Sequence, residues 1–461
     1  MIARKLIYLL LIAIATSAHA QGPANGSKSL YESKIDDTAA ITFSPENFSI
    51  KADGVMDVSE ALQIAINSLK VKSNFGIVFI PEGKYLISTT IYIPQAIRLI
   101  GYGKKRPLII LKKNSPGFQV PDSTDKGNAK YLFWFTSTIV RPGQPVRDAN
   151  AGTFYSGMSN IDLKIDDGNP AAVALRTHFA QHSFISHVDI HIGKGRAGIF
   201  DVGNEIDNVR FFGGEYGIYT TKPSPGWPFM MLDTWFEGQR KAAVQTREAG
   251  LTIVRMNVKN VPVVIDMNPG FYEKLIMEDC RFENITQHAV IISDEYNAHT
   301  QVNLRNIVCS KVPVLISFRE SKLNIAGKGN IYQVRRFTHG NHIDDPGMAP
   351  EIKTTSDLVA LTTLPSRVKT NIPSLPDMST WVNLKSLGAK GDGQTDDTKI
   401  IQNAIENHEV IYMPQGWYRV TETIRLKPNT VLIGLNPIAT QLFISDNTEA
   451  FSGFGSPLPL L

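Results

Sequence analysis

The chain has little cysteine, no excess of charge of one sign and only one long apolar run. Its two cysteines, Cys280 and Cys309, make no disulfide framework, and no Cys/His spacing reads as a zinc site. Basic residues number 47 and acidic residues 43 among 461. That near-balance argues against a dedicated nucleic-acid binder. The single long apolar run lies at the start. Arg4 and Lys5 precede the apolar stretch Leu6 to Ile14, and Ala18-His19-Ala20 follows as an A-x-A site. The run is too short to span a bilayer, so residues 1–20 read as a cleaved signal peptide. The expected protein is secreted or periplasmic, without a membrane span. No cysteine directly follows the expected cleavage site, which argues against a lipid-anchored form. Without Arg4 and Lys5, 45 basic residues face 43 acidic ones. With 43% hydrophobic and 20% charged residues, the remainder is ordinary globular material.

What is present is a repeat. "KADGVMDVSEALQIAI" (Lys51 to Ile66) matches "KGDGQTDDTKIIQNAI" (Lys390 to Ile405). Asp53-Gly54 falls on Asp392-Gly393, Asp57 on Asp396 and Gln63 on Gln402. The match continues from Pro81, Gly83 and Tyr85 to Pro414, Gly416 and Tyr418, with six fewer residues between helix and strand in the second copy. Each copy reads as a Gly turn, an amphipathic helix and short alternating strands. Asp57 and Glu60 form a D-x-x-E capping pattern. By the same alignment Asp396 is the expected N-cap of the second helix, with Asp397 favouring its positive end. The Pro/Ser/Thr-rich stretch 354–380 reads as a linker. It divides a first domain, 21–353, from the start of a second, 381–461.

Between the copies lies a ladder of short strands. Apolar anchors recur at Ile161, Val188, Val209, Leu232, Val254, Leu275 and Leu304, a period near 22 residues. That period without helix signals predicts an all-β fold, a parallel β-helix with one coil per repeat. The Leu and Asn pattern of leucine-rich repeats is absent. With the anchors stacked inward, Asp189, Arg210, Asp233 and Arg255 would alternate in sign along one outer face as a salt-bridge ladder. Cys280 and Cys309 each lie five residues past an anchor. Neighbouring coils would therefore bring them within bridging distance, either as a disulfide or as two buried thiols.

The repeat and the ladder together resemble the pectate-lyase-like superfamily of right-handed β-helix proteins. The GDGxTDDT-helix-PxGxY signature is similar to that of its rhamnogalacturonase-, epimerase- and tailspike-like members. Two copies in one chain resemble the tandem β-helix family 55 glycoside hydrolases, which are β-1,3-glucanases. Three further segments resemble that family's "VAQ", "GIF" and "FNGG" strands: Phe179-Ala180-Gln181, Gly198-Ile199-Phe200 and Phe211-Phe212-Gly213-Gly214. The resemblance implies a right-handed parallel β-helix with a short N-terminal capping helix, then the start of a second β-helix. It also implies a polysaccharide substrate and no cofactor. Two features depart from it. "DVGNEID" (Asp201 to Asp207) stands where the family has a Gly/Ser-rich loop. The family's general acid is a glutamate of the second β-helix, and this chain ends shortly after that helix begins. The expectation is a truncated product, a fragment or a relative with a vestigial second domain.

Glycoside hydrolysis needs two carboxylates flanking the bond. The ladder offers Asp201, Glu205, Glu215, Asp233, Glu237, Glu278 and Asp279, and no spacing singles out a pair. Asp201 and Glu237 are carried forward as catalytic candidates. Gln181 is a third, through the family's use of first-domain polar residues to hold the attacking water. Gln181, Trp227 and Trp235 are candidates for binding substrate, the tryptophans as stacking platforms with core packing as the alternative for Trp235. His178, His182, His187 and His191 do not share one strand face, so no metal site is expected. "GKGRAG" and "GYGKK" lack P-loop spacing. The expected activity is glycan hydrolysis on β-glucan or a related polysaccharide. The rivals are a Ca²⁺-dependent polysaccharide lyase and a non-catalytic glycan-binding or structural β-helix.

Overall fold

The structure is a computed structural model and describes residues 28–221 and 228–452. The expected signal peptide lies outside the described residues. From Ile41 to Phe318 the chain winds as a parallel β-solenoid, so the all-β β-helix class read from the repeat is the one found. Each coil gives one strand to each of three sheets. Sheet 1 runs from Ile41–Thr42 and Gly76–Pro81 through Phe229–Leu232 and Leu251–Val254 to Lys274–Glu278. Sheet 2 includes Lys84–Ile87, Leu108–Leu111 and Trp235–Glu237. Sheet 3 includes Lys130–Thr136, Ala172–Arg176, Ala197–Phe200 and Tyr216–Tyr219. Side chains alternate in and out along each strand. The inward positions stack coil on coil into apolar columns. One column is Ile185, Ile206, Met231, Ile253, Met277 and Leu304, all 1% exposed or less.

A left-handed residue turns each coil from sheet 1 to sheet 2. Asn160, His187, Asn208, Asp233, Arg255, Asp279 and Asn306 fill this corner with φ between 50° and 59°. Asn and Asp tolerate that region better than most residues. The corner corrects the anchor register. Ile161, Val188 and Val209 follow their corner residues and face inward, whereas Leu232 and Val254 precede theirs and face outward. The expected ladder therefore breaks in two. Arg210 pairs with Asp189, and Arg106 extends that end by bridging Asp189 and Asp162 at 3.3 and 3.2 Å. Arg255 pairs separately with Asp233 at 2.7 Å, both at the corner.

The same shift separates the cysteines. Cys309 stacks on Phe282, while the Cys280 thiol donates to the Glu278 carbonyl. Both are buried and free.

The helix Ser59–Ser73 caps the first coil, burying Leu62, Ala65, Ile66 and Leu69. Asp57 acts one place before the cap. Its Oδ1 accepts from Ser59 N at 3.0 Å and from the Ser59 hydroxyl at 2.6 Å, and Val58 is the N-cap. Asp396 does the same for Thr398 at 3.0 Å, so the N-cap of the helix Thr398–Asn407 is Asp397 rather than Asp396. The buried Asp397 carboxylate accepts instead from Lys390 N at 2.8 Å and Gly391 N at 2.9 Å, which fixes the Gly turn.

The far end of the solenoid is closed by an antiparallel hairpin, Ile331–His342 and Glu351–Ala360. Residues 354–360 of the expected linker are thus strand. The chain beyond runs back along sheet 2, where Pro365 O accepts from Arg281 at 2.7 Å and Arg367 pairs with Glu283 at 3.1 Å. It then starts a second unit of two three-stranded parallel sheets. That unit packs on the outer face of sheet 1. Ile77, Phe79 and Ile100 of the first copy share a cluster with Val410, Tyr412 and Ile433, the residues at the same places in the second. The contact is therefore self-complementary, like that of a two-fold dimer. Polar bonds frame it: Arg98 to Leu435 O at 3.0 Å, Asn436 to Gly76 O at 3.2 Å, and Tyr412 OH to Asp37 at 3.1 Å.

Candidate functional site

The candidates read from sequence scatter over the solenoid. Gln181 sits at the corner from sheet 3 to sheet 1, half-buried, with its Oε1 enclosed and without a hydrogen-bond partner. Beside it the His182 ring stacks on Tyr155 at 5.1 Å. Asp201 is buried after its sheet 3 strand and accepts from Thr221 N at 3.2 Å and the Thr221 hydroxyl at 2.8 Å. Glu237 is on sheet 2, where its Oε2 accepts from Trp235 Nε1 at 3.1 Å. Asp201 and Glu237 thus belong to different sheets and do not form a pair. The Arg367 guanidinium lies over the Trp235 ring at 4.5 Å, so the linker occupies that expected platform. Trp227 lies outside the described residues.

Two clusters emerge that the sequence did not single out. The first stands at the end of sheet 3 around Arg176. Its guanidinium is held by Asp125 at 2.5 Å and Asp148 at 2.6 Å, between the rings of Trp134 at 4.5 Å and Phe200 at 5.2 Å. Asp148 also takes the Trp134 indole N–H at 2.7 Å and faces His178 at 3.7 Å. The donor atoms of Asp148, His178 and Asp201 all lie within 4.8 Å of one another. Both Asp148 oxygens accept from Arg176, so a cation there would have to displace a buried guanidinium. The group reads as a clamp that fastens residues 125–148 onto sheet 3.

The second cluster lies on the outer face of sheet 1, farther along the face that carries the second unit. Glu205 and Asp207 are two residues apart on one strand and point the same way. Glu205 stacks over Phe184, whose ring carries the Arg98 guanidinium at 4.7 Å. Burial together with the negative charges of Asp233 and Glu205 pushes Asp207 up to about 6, against the partial relief of Arg255. Burial alone raises Glu205. Two carboxyls on one outer face, both raised by burial, are the ingredients of acid–base work. Aromatic rings line the neighbouring corner: Tyr155 with His182, Phe271 under Arg247 at 4.6 Å, Tyr272 with His299 at 5.2 Å, and Tyr296, which is 71% exposed. Glu205 was among the sequence candidates. Asp207 was missed, because the strand face it occupies depends on the corner residue Asn208.

The family model for rhamnogalacturonase A/epimerase, pectate lyase-like proteins matches residues 43–289 and 381–455. The chain belongs to that family. The two matched stretches are the two copies of the repeat, with the solenoid filling the longer one. Among relatives, a glucan 1,3-β-glucosidase of Cochliobolus carbonum is 21% identical over 458 residues, covering 90% of this chain and 55% of that protein. The non-secreted LysM effector LysM19 of Penicillium expansum is 21% identical over 444 residues, covering 84% of this chain and 33% of the other. A probable glucan endo-1,3-β-glucosidase of Arthroderma benhamiae is 37% identical over 84 residues, which are 18% of this chain and 9% of that protein. The chain thus spans from under a tenth to about half the length of these relatives.

Proposed function

We propose that this pectate-lyase-like chain is part of an exported carbohydrate-active protein, a glycoside hydrolase acting on β-glucan or a related polysaccharide. The observation that carries the reading is the Glu205–Asp207 pair, both carboxyls pushed up by burial, on the open continuation of the sheet 1 face. Asp207 is the general acid, because a carboxyl titrating near 6 keeps its proton closer to neutrality than an ordinary aspartate does. Glu205, stacked over Phe184 and two residues from Asp207 on the same face, is the partner that activates water or attacks. The rings along the sheet 3 to sheet 1 corner supply stacking surfaces for a sugar chain running along the solenoid. The glucosidase names among the relatives support β-glucan as the first substrate to try.

The test is incubation of the full chain with a soluble β-1,3-glucan, a β-1,4-glucan and polygalacturonate. Hydrolysis releases reducing sugar, is insensitive to chelator and forms no ultraviolet-absorbing unsaturated ends. Asp207→Asn abolishes it. Unsaturated products that disappear with chelator would instead establish the lyase. Retention of a glycan without any product would establish a binding protein.

A further inference from the structure

The two copies share their turns, so outward positions where they differ are not dictated by the fold. One such difference is Trp417, which stands where the first copy has Lys84. Both are exposed and both pair with the aspartate that opens the unit, Asp392 for Trp417 and Asp53 for Lys84. Trp417 leaves 45% of its surface in water. The ring is not loose. Its Nε1 donates to Ile438 O at 3.2 Å, and a Cβ on Gly393 would come to 3.9 Å from its Cε3. The indole is thus tethered at its nitrogen and lies against a turn that presents no side chain. Its flanking strand partner is the polar Gln441.

Two residues on, about 7 Å along the same strand face, stands Arg419. The first copy has Leu86 there, which is buried. Arg419 Nε is enclosed and has no hydrogen-bond partner, an arrangement that costs free energy unless something accepts from it. It forms one wall of a cavity lined also by Thr421, Glu422, Asp446 and Asn447. A fixed, exposed indole beside a cavity of charged and amide groups matches the two surfaces of a sugar. The C–H face of a pyranose packs on the ring, and its hydroxyls bond to the arginine, carboxylates and amide.

We infer that Trp417 and the Arg419 cavity form a glycan-binding platform on the second unit, separate from the Glu205–Asp207 face. Its ligand class rests on the carbohydrate reading above. The platform holds polymeric substrate and takes no part in bond cleavage.

The test is affinity electrophoresis of the full chain through gels containing each soluble glycan of the panel. It uses Trp417→Lys, which restores the residue of the first copy, and Trp417→Phe, which keeps a ring. Circular dichroism and thermal melting check that the variants are folded. The expected result is retardation of the wild type, about tenfold weaker retention for Trp417→Lys, and near wild-type retention for Trp417→Phe. Cleavage of short oligosaccharides should be unchanged by either substitution. Equal retention of wild type and Trp417→Lys would overturn the platform and leave the carbohydrate reading standing. A wild type retarded by no glycan would overturn both. Should Trp417→Lys fail to fold, Arg419→Leu, again the residue of the first copy, takes its place with the same two readings.

Discussion

Phe79 and Tyr412 hold the same position in two copies of one unit, and they lie in the same apolar cluster. An outward strand face that each copy would otherwise leave wet is buried by the other. The contact fixes the second unit beside the open part of sheet 1, where Glu205 and Asp207 stand. It also explains why that sheet's first strands carry Ile77, Phe79 and Ile100 outward, while later ones carry Glu205 and Asp207.

Removing either ring should loosen the two units. Phe79 is 1% exposed, so Phe79→Ala is expected to cost about 3–5 kcal/mol. Tyr412→Phe keeps the ring and loses the bond to Asp37, at a cost of about 1 kcal/mol. Urea unfolding measures both. Limited proteolysis should show faster cleavage of Phe79→Ala between residues 361 and 380, where the chain crosses from one unit to the next. Unchanged cleavage would show that the cluster does not hold the units together.

Arg176 should be among the least replaceable charged residues. Its side chain is 4% exposed, and Asp125 and Asp148 face it from the loops it clamps. Arg176→Leu leaves those carboxylates without their partner, an expected loss of about 3–5 kcal/mol. Arg176→Lys restores charge without the planar fork that meets Asp148 through two nitrogens and both oxygens, so it should recover only part. Thermal melting of the two variants distinguishes the clamp from a simple charge effect.

The cysteines should be silent in the folded protein. Burial pushes both thiols up to about 12, which leaves almost no thiolate at neutral pH. A thiol reagent should label neither until denaturant is added and then label two per chain. A reductant should leave the melting temperature unchanged. Labelling of fewer than two thiols in the reductant-free, unfolded protein would point to a bond after all.

How far the sequence carried follows from what each signal depends on. The coil repeat and the duplicated helix start were legible because they are local: Asp53-Gly54 and Asp392-Gly393 make the same turn from the same residues. Each aspartate accepts from backbone N–H groups two and three residues on, such as Val55 and Met56 after Asp53. The outer faces were not legible. Whether Val209 or Leu232 points inward depends on which side of a single left-handed residue it falls, and Asn208 and Asp233 look alike as loop or strand residues. A slip there moves every following side chain to the other face. It set Cys309 over Phe282 instead of Cys280, split the Asp189–Arg255 ladder, and hid Asp207 behind its neighbour Glu205. Contacts between distant segments, such as Arg367 on Trp235 or Asp125 on Arg176, leave no local trace in sequence.

Asp207 ties the proposed chemistry to a pH dependence whose sign is fixed. Its carboxyl titrates at about 6 in the folded chain, above its ordinary value of 3.8. Between those values the folded state holds a proton that the unfolded state has released, so this group's contribution to stability is complete below about pH 4 and is lost as pH rises through 6. The side chain is partly open to solvent, which limits the effect to about 1 kcal/mol. Asp207→Asn, which carries no charge at any pH, should therefore melt above the wild type at pH 7.5 and close to it at pH 4. Activity should show the other side of the same proton. As the general acid, Asp207 works only while protonated, so reducing-sugar release should fall about tenfold per pH unit above 6. Asp207→Asn should be inactive throughout. Higher melting at pH 7.5 with full activity would locate Asp207 in the fold's electrostatics and remove it from the chemistry.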